Sequence, residues 1–316
     1  MTIVVAGEAL IDLAPRGELL LPLPGGSPYN VAIGLARLER PAEYLGRVST
    51  DGFGQRLLRR LHDEGGGTHY VVATDEPTTL AVVHLDAQAR ASYGFYLRGT
   101  STTGLTNHDI DRLPALPDAA PLHVSFGAIT LDDPAGEVLA GLIRAGAQVR
   151  VRTLDPNIRA NVITDMPTYA QRMDQLVSTC DLVKVSDEDL ELLQPGVDPL
   201  ETAARWAGSG PVWVVVTRGP HGAVAFDASG GRRHIDGIAV EVVDTVGAGD
   251  AFTSGLLAAL DRAGHLSSPD ALATLSGEDL EAAVRYAVWV AAITCTRAGS
   301  DPPTAAELDA SGGGTG

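Results

Sequence analysis

Short apolar runs rich in β-branched residues alternate along this chain with longer stretches whose apolar residues recur every three or four positions. The short runs predict strands and the longer stretches predict helices. The predicted strands are residues 3–6, 43–48, 122–125, 148–154, 182–185, 212–217 and 240–243. The predicted helices are residues 27–38, 52–64, 134–145, 168–179, 200–208, 249–263 and a last one near 278–296.

This alternation is typical of right-handed βαβ units, in which parallel strands form one sheet with helices on both faces. No internal repeat and no linker divides the 316 residues. We therefore expect one α/β domain over residues 1–316. Its core should be Rossmann-like, with three αβα layers around a mostly parallel sheet.

One region breaks the alternation. Between residues 70 and 97, strand-like runs follow one another without a helix, with turns at Pro77 and at Asp86-Ala87. Residues 19–23 form a similar run. We expect a small second sheet, built from about residues 13–25 and 70–104, that covers a ligand site as a lid. A surface hairpin without a role is the alternative.

Composition narrows the classes of function. The chain has 23 Lys and Arg residues against 40 Asp and Glu, a formal net charge of −17, which repels nucleic acid and anionic membranes. No apolar stretch is long enough to cross a bilayer, and the N-terminal run reads as a strand rather than a signal peptide. The two cysteines, Cys180 and Cys295, have no zinc-binding spacing. We expect a cytoplasmic protein that binds neither nucleic acid nor membrane.

The strongest chemical signal is the string DTVGAGDAF, residues 244–252, at the start of a predicted helix. Its glycines permit a tight turn, and the amides of Gly247, Ala248 and Gly249 can form an anion hole with the positive end of the helix dipole. Asp250 is well placed to accept a proton from an attacking hydroxyl. The string indicates phosphoryl transfer with Asp250 as the base, and a capped helix after a glycine turn is the purely structural alternative.

Other nucleotide and hydrolase motifs are missing from the sequence. The only lysine, Lys184, follows Val183, so there is no Gly-Lys-Ser/Thr phosphate loop. The glycine string lacks the third small residue of a dinucleotide fingerprint, which argues against a nicotinamide dehydrogenase. Neither a Gly-x-Ser-x-Gly nor a His-Glu-x-x-His motif occurs.

Three further strings supply candidate ligand groups. In GGSPYN, residues 25–30, Gly26 lets the backbone approach a ligand and Asn30 offers a donor and an acceptor to sugar hydroxyls. In LDPNIR, residues 154–159, Arg159 could neutralise a phosphate or a carboxylate at the edge where α/β sheets bind ligands. In KVSDEDL, residues 184–190, Ser186 has the position of a helix N-cap.

In this order, from Gly7 to Pro303, these strings resemble the PfkB, or ribokinase-like, family of carbohydrate kinases. GAGD at 247–250 is similar to one family signature, and GGSPYN with the later strings GRV and DGFG is similar to another. The resemblance implies transfer of the γ-phosphoryl group of ATP to a sugar hydroxyl, with Mg²⁺ as cofactor and K⁺ as an optional one. It also implies a homodimer that forms through the lid.

The resemblance assigns further roles to single residues. It places Asp12, with Gly26 and Asn30, at the sugar, and it gives the nucleotide to Lys184, Thr217, Gly219 and Gly222. Ser186 replaces the asparagine of the family's Asn-x-x-Glu motif and Asp189 stands at its glutamate. Either Asp189 or the adjacent Glu188 should therefore organise Mg²⁺, through water. Asp244 is the candidate for a monovalent cation.

The substrate has more than one candidate. The strings at residues 25–30, 154–159 and 184–188 look most like those of bacterial fructokinases, which convert D-fructose into fructose 6-phosphate. The alternative is a 2-keto-3-deoxygluconate kinase, because Tyr96, Arg98 and Arg159 could together hold a substrate carboxylate. Ribokinases and nucleoside kinases fit less well. From another class, a catalytically silent sugar-binding protein could share the fold, but such a protein would not need Asp250.

Overall fold

The computed structural model describes residues 1–85 and 91–311. Its strands are β1 Ile3–Gly7, β2 Leu10–Arg16, β3 Leu19–Gly25, β4 Ala42–Ser49, β5 Gly67–Thr74, β6 Leu80–Leu85, β7 Ala91–Tyr96, β8 Leu122–Ser125, β9 Arg152–Asp155, β10 Leu182–Ser186, β11 Trp213–Thr217, β12 Ala223–Asp227 and β13 Arg232–Ile235. Its α-helices are α1 Ser27–Arg37, α2 Gly52–Asp63, α3 Asn107–Arg112, α4 Pro134–Ala145, α5 Met166–Val177, α6 Asp187–Leu193, α7 Pro199–Ala207, α8 Ala248–Arg262, α9 Pro269–Ala273, α10 Gly277–Cys295 and α11 Ala305–Ala310.

Nine of these strands form the main sheet, in the order β13-β12-β11-β10-β9-β8-β1-β4-β5. All neighbours from β11 to β5 are parallel, β12 pairs antiparallel with β11, and β13 pairs antiparallel with β12. Because side chains alternate between the two faces of a strand, β1 contributes Ile3 and Val5 to one hydrophobic core and Val4 and Ala6 to the other. The first core lies under α1, α8 and α10, and the second under α4, α5 and α7. The predicted three-layer α/β architecture is confirmed.

A separate four-stranded sheet has the order β3-β2-β6-β7. Its β2 and β6 are parallel and its other pairs are antiparallel. Its Leu10 and Ala81 pack with Ala128, from the loop after β8, and with the aromatic rings of Tyr93 and Phe95. The small sheet therefore contacts the main body directly above the carboxyl ends of β1 and β8.

The boundaries of the small sheet differ from the prediction. The strand β5, which was expected to belong to it, pairs with β4 in the main sheet, so the small sheet resumes at Leu80 rather than at residue 70. A strand-like run by itself does not say which sheet the strand joins. The predicted turn at Asp86-Ala87 lies outside the described residues.

Two predicted strands also need correction. Residues 240–243 are not a strand: Val242 and Val243 are 59% and 62% exposed, and the Val243 amide donates to the Cys295 carbonyl oxygen rather than to a neighbouring strand. The strand predicted from residue 148 begins at Arg152, because Gln148 has a left-handed φ of 65°. None of the helices in the described ranges combines the length and the apolar character that a bilayer crossing requires.

Candidate active site

The helix α8 begins directly at the glycine string. Its N-cap is Gly247, with a φ of 77° that L-residues rarely adopt, and a Cβ there would collide with the side chain of Ser300. The turn therefore needs glycine for two reasons, its backbone angle and its close packing. Among the three predicted anion donors, the Ala248 amide already donates to the Thr245 carbonyl oxygen at 3.2 Å, so it is the least available.

Asp250 is partly buried in the first turn of α8. One of its carboxylate oxygens accepts a 2.8 Å hydrogen bond from the Asn30 amide nitrogen of α1. Burial raises the pKa of Asp250, and the hydrogen bonds of Asn30 and Ser27 and the charge of Lys184 oppose that rise. The structure thus brings together two predicted site residues, with a carboxylate whose proton affinity is above the ordinary one.

Lys184 lies underneath the glycine turn. Its ammonium group is 2.9 Å from a carboxylate oxygen of Asp155, and both side chains are buried. A Cβ on Gly249 would be 3.3 Å from this ammonium nitrogen, which places the only lysine of the chain next to the predicted anion hole. Burial alone would lower the pKa of Lys184, but the Asp155 carboxylate outweighs it and the pKa is raised. The lysine is therefore charged where it lies beside the predicted anion hole.

Asp189 and Glu188 differ sharply in their surroundings. Asp189 is buried and accepts a 3.0 Å hydrogen bond from the Ile158 amide, whereas Glu188 is exposed. The predicted cap is confirmed, because the Asp189 amide donates to the Ser186 hydroxyl at 3.0 Å. In the described part of the chain, no three His, Cys, Asp or Glu side chains cluster as a metal site. Mg²⁺ usually binds through one or two carboxylates, waters and substrate phosphates, so this sparse donor set fits a magnesium–nucleotide complex.

The predicted nucleotide turn follows β11. Thr217 ends that strand beside Ser186 of β10, and Gly219 and Gly222 have φ angles of 51° and 79°. The Arg218 amide donates to the Gly222 carbonyl oxygen at 2.8 Å and closes the turn. Its backbone therefore lies at the same sheet edge as Lys184.

Asp244 joins two loops near this edge. Its carboxylate accepts hydrogen bonds from the Gly299 amide at 2.8 Å and from the Val246 amide at 3.0 Å. The extended segment before α8 is thereby tied to the segment after α10. The first of these segments carries Asp244, the residue that the sequence resemblance assigns to a monovalent cation.

At the opposite end, Asp12 and Gly26 line the space under the small sheet. The Asp12 carboxylate packs on Gly25, where a Cβ would collide with it, and Gly26 has a φ of 105°. The pKa of Asp12 is raised to about 6, first by burial and then by the negative charge of Asp250, while Arg159 opposes the rise. Asp12 and Asp250 are therefore close enough for the charge of one carboxylate to act on the other.

The three residues predicted to hold a substrate carboxylate differ in their surroundings. Arg159 lies at the site, where its charge lowers the pKa values of Asp12, Glu8 and Asp189. Arg98 is exposed in the turn after β7, and Tyr96 is 64% exposed.

Tyr93, on the other face of β7, takes the position expected of Tyr96. Its ring packs beside Phe95, with centroids 6.2 Å apart. Burial and then the Asp12 charge raise its pKa. Strand alternation decides this difference, since residues 93 and 95 share one face and residue 96 lies on the other.

The sequence analysis missed Glu8. This residue is only 4% exposed, and its carboxylate accepts a 2.5 Å hydrogen bond from the Ala128 amide. Burial raises its pKa to about 7, although the nearby Arg159 lowers it. The available signal was an acidic residue directly after a fully apolar strand, a position where a charge costs free energy unless it has partners.

The comparisons with known proteins agree with this geometry. The sequence model described as the pfkB family carbohydrate kinase matches residues 3–306. A fructokinase of Rhizobium leguminosarum bv. trifolii is 38% identical over 264 residues, which cover 82% of this chain and 79% of the relative.

Two solved structures are similar over almost the whole chain. A fructokinase of Xylella fastidiosa with bound ATP has a TM-score of 0.86 at 26% identity and covers 98% of this chain and 97% of its own. A fructokinase of Vibrio cholerae O395 with fructose, ADP and calcium ion bound has a TM-score of 0.82 at 29% identity, with 98% of each chain covered.

A parallel α/β sheet with a small second sheet over its carboxyl edge, and a carboxylate at the start of a helix with a glycine turn, define a ribokinase-like carbohydrate kinase. Such enzymes are phosphotransferases with a sugar hydroxyl as acceptor. The chain belongs to the pfkB family of carbohydrate kinases.

Proposed function

We propose that this protein is an ATP-dependent fructokinase that converts D-fructose into fructose 6-phosphate, with Asp250 as the catalytic base. The observation that carries the proposal is the position of the Asp250 carboxylate between Asn30, on the side proposed for the sugar, and Lys184, on the side proposed for the phosphates. Asn30 contacts it from the side of Asp12 and the small sheet. The Lys184 charge acts on it from the side of the glycine turn.

In this mechanism the sugar lies under the small sheet, contacted by Asp12, the Gly26 backbone and Asn30. The acceptor hydroxyl faces Asp250, which takes its proton as the oxygen attacks the γ-phosphorus. A base in a low-dielectric cleft with a raised pKa holds the proton more firmly than an exposed aspartate does. The proton leaves the sugar, the P–O bond to the β-phosphate breaks, and ADP departs.

The nucleotide extends from the glycine turn toward the β11 turn. Lys184 and the amides of Gly247, Ala248 and Gly249 face the charge that develops on the transferred group. Thr217, Gly219 and Gly222 support the remaining nucleotide through their backbone. Mg²⁺ bound with ATP supplies positive charge to the phosphates, and Asp189, or Glu188 through water, would hold it.

The charge balance of the cleft favours a neutral sugar over a keto acid. Three carboxyl groups lie near one another here, those of Glu8, Asp12 and Asp250. Burial raises the pKa of each, and the negative charge of a neighbouring carboxylate raises it further. The positive charge of Arg159 opposes the rise for Glu8 and Asp12, and that of Lys184 opposes it for Asp250, so both cations already balance carboxyl groups before any substrate binds. A substrate carboxylate would add a further negative charge without gaining Arg98, which is exposed.

The small sheet acts in this proposal as a lid and as a dimer interface. Closure over the sugar would exclude water, which otherwise competes as phosphoryl acceptor. The outer strand β3 is an edge strand, and its Leu19, Leu20 and Leu21 are 74%, 50% and 39% exposed. An exposed apolar edge of this kind favours pairing with a second copy. Light scattering should find a dimer that Leu20→Glu converts into a monomer.

Two smaller assignments complete the proposal. A monovalent cation would bind where Asp244 joins the segment after α10, and K⁺ should then raise turnover relative to Na⁺. The protein would work in the cytoplasm, where ATP is supplied and where its two free cysteines stay reduced.

The proposal is tested by ADP release with ATP and Mg²⁺ across fructose, 2-keto-3-deoxygluconate, ribose, tagatose and adenosine. We expect the highest kcat/KM with fructose. A higher kcat/KM with the keto acid would contradict the argument from charge balance. Absence of turnover with all five acceptors would contradict the fructokinase assignment.

A further inference from the structure

We infer that Glu8 is a positioning residue for the sugar, and that its buried carboxylate joins the start of α1 to the loop after β8 on which the small sheet packs. Glu8 lies between β1 and β2, where the chain passes from the main sheet to the small sheet. The inference rests on the proposed function, because it names a determinant of sugar binding.

The carboxylate of Glu8 is enclosed by backbone on two sides. One oxygen accepts the 2.5 Å hydrogen bond from the Ala128 amide, and the Ser27 amide lies near enough to lower the pKa of this carboxyl group. The loop is shaped around the side chain, because Gly127 has a φ of 81° and a Cβ there would collide with the Glu8 carboxylate. A Cβ on Gly26 would lie 2.7 Å from the Glu8 carbonyl oxygen.

Both tethered segments carry parts of the sugar site. The helix α1 starts at Ser27 and places Asn30, one turn later, against Asp250. Ala128 belongs to the apolar cluster that receives the inner face of the small sheet, including Tyr93. The Ser27 hydroxyl is 2.9 Å from the Ser125 hydroxyl at the end of β8, which adds a second connection between the same two segments. Glu8 therefore sets the distance between the base and the lid.

A carboxylate suits this task better than other side chains. When ionised it offers two acceptor oxygens to the neighbouring backbone amides, whereas a glutamine offers one oxygen and one donor group. If a buried backbone amide faces the NH2 group of the glutamine instead of an acceptor oxygen, it loses its hydrogen bond. We expect the segment that carries this amide to move as a result. The positive charge of Arg159 lies near enough to compensate the buried charge. Because the Glu8 side chain is only 4% exposed and held by backbone, we expect it to act through the groups that it holds.

The test compares Glu8→Gln with Glu43→Gln. Glu43 is a matched control, since its partly buried carboxylate accepts a 3.0 Å hydrogen bond from the His69 amide at a distance from the site, near the start of β4. We expect Glu8→Gln to raise the KM for fructose at least tenfold and to leave the KM for ATP within twofold. Glu43→Gln should leave both within twofold.

Gly127→Ala, which pushes against the Glu8 carboxylate from the other side, should reproduce the selective rise in the fructose KM. Equal changes in both KM values for Glu8→Gln, or none, would overturn the inference.

Hydrogen exchange supplies a readout that needs no sugar. In Glu8→Gln, the amides of residues 126–129 and of Ser27 should exchange at least tenfold faster than in the unmodified protein. In Glu43→Gln they should exchange at the original rate, and the amides of α10 should be unchanged in both variants. Unchanged exchange in these segments would contradict the tether. If the unmodified protein does not phosphorylate fructose, the proposed function fails, while this exchange comparison still decides the role of Glu8.

Discussion

The Asn30 side chain donates a 2.8 Å hydrogen bond to Asp250, although 220 positions separate the two residues along the chain. Each residue lies in the first turn of its helix, α1 or α8, so the N-terminal ends of two helices meet at one carboxylate. The positive ends of helix dipoles stabilise an anion. This arrangement favours the ionised form of Asp250 in spite of its burial.

Asp250→Asn should lower kcat roughly 10²- to 10⁴-fold, the usual contribution of a general base. Binding of fructose and ATP should stay within about threefold, because the amide has nearly the same shape. Steady-state kinetics and calorimetric titration check the two halves of this prediction. A kcat within tenfold of the original would contradict the base assignment.

Asn30→Ala should shift the acid limb of the kcat profile to higher pH. The Asn30 hydrogen bond favours the ionised carboxylate and lowers the pKa of Asp250, so its removal raises that pKa and the base is lost at a higher pH. Asn161→Ala is the control, because the Asn161 amide donates to the Tyr93 carbonyl oxygen at the surface. The same shift in both variants, or a shift to lower pH, would count against this role of Asn30.

Asp155→Asn should cost about 3–5 kcal/mol of unfolding free energy, since it leaves the buried Lys184 ammonium without its counter-charge. The control is Glu281→Gln, which breaks the exposed pair with Arg285 and should cost less than about 1 kcal/mol. Denaturant unfolding measures both values. Similar costs in the two variants would show that the Lys184–Asp155 pair is not as buried as the structure has it.

Arg98→Ala should leave the fructose KM within twofold, because the Arg98 side chain is exposed in the turn after β7. Arg159→Gln should raise that KM at least tenfold, because it removes the positive charge that lowers the pKa values of Glu8 and Asp12. Kinetics with fructose at saturating ATP distinguish the two arginines. The opposite ranking would place Arg98 in the site and revive the keto-acid substrate.

The sugar-free protein should lose the Glu8 contribution to its stability as pH rises from about 4.5 to 7. Burial raises the pKa of Glu8 from the ordinary 4.5 to about 7, so the folded state binds this proton more tightly than the unfolded state. The contribution is complete below pH 4.5 and is lost as pH passes 7, for a total of about 3 kcal/mol. Denaturant unfolding across this range measures the slope.

Glu8→Gln should flatten that slope, and the comparison isolates Glu8 from other groups. His123, whose pKa burial lowers to about 4, acts in the opposite sense below pH 6.5 in both proteins. Asp12, with a pKa of about 6, adds to the Glu8 effect in both. Equal slopes for the two proteins would mean that the Glu8 carboxyl group keeps an ordinary pKa.

The sequence by itself determined the features that depend on residues close together in the chain. The alternation of strands and helices, the glycine turn before Asp250 and the Ser186 cap were all predicted, because backbone angles and caps are decided within a few positions. The resemblance of the motif strings was also sufficient to predict the family. Each of these features depends either on residues close together in the chain or on the order of short motifs along it.

Tertiary structure decided which side chains meet. The Asn30–Asp250 contact, the place of β5 in the main sheet, the inward position of Tyr93 instead of Tyr96 and the enclosure of Glu8 all depend on strand order and on register. A shift of one residue along a strand moves a side chain to the opposite face. The run at residues 240–243 has strand-like residues but pairs with no neighbouring strand among the described residues, so it does not form one. These contacts and positions form only when distant segments of the chain pack against one another, because burial and the local electrostatic field depend on residues that are neighbours in space.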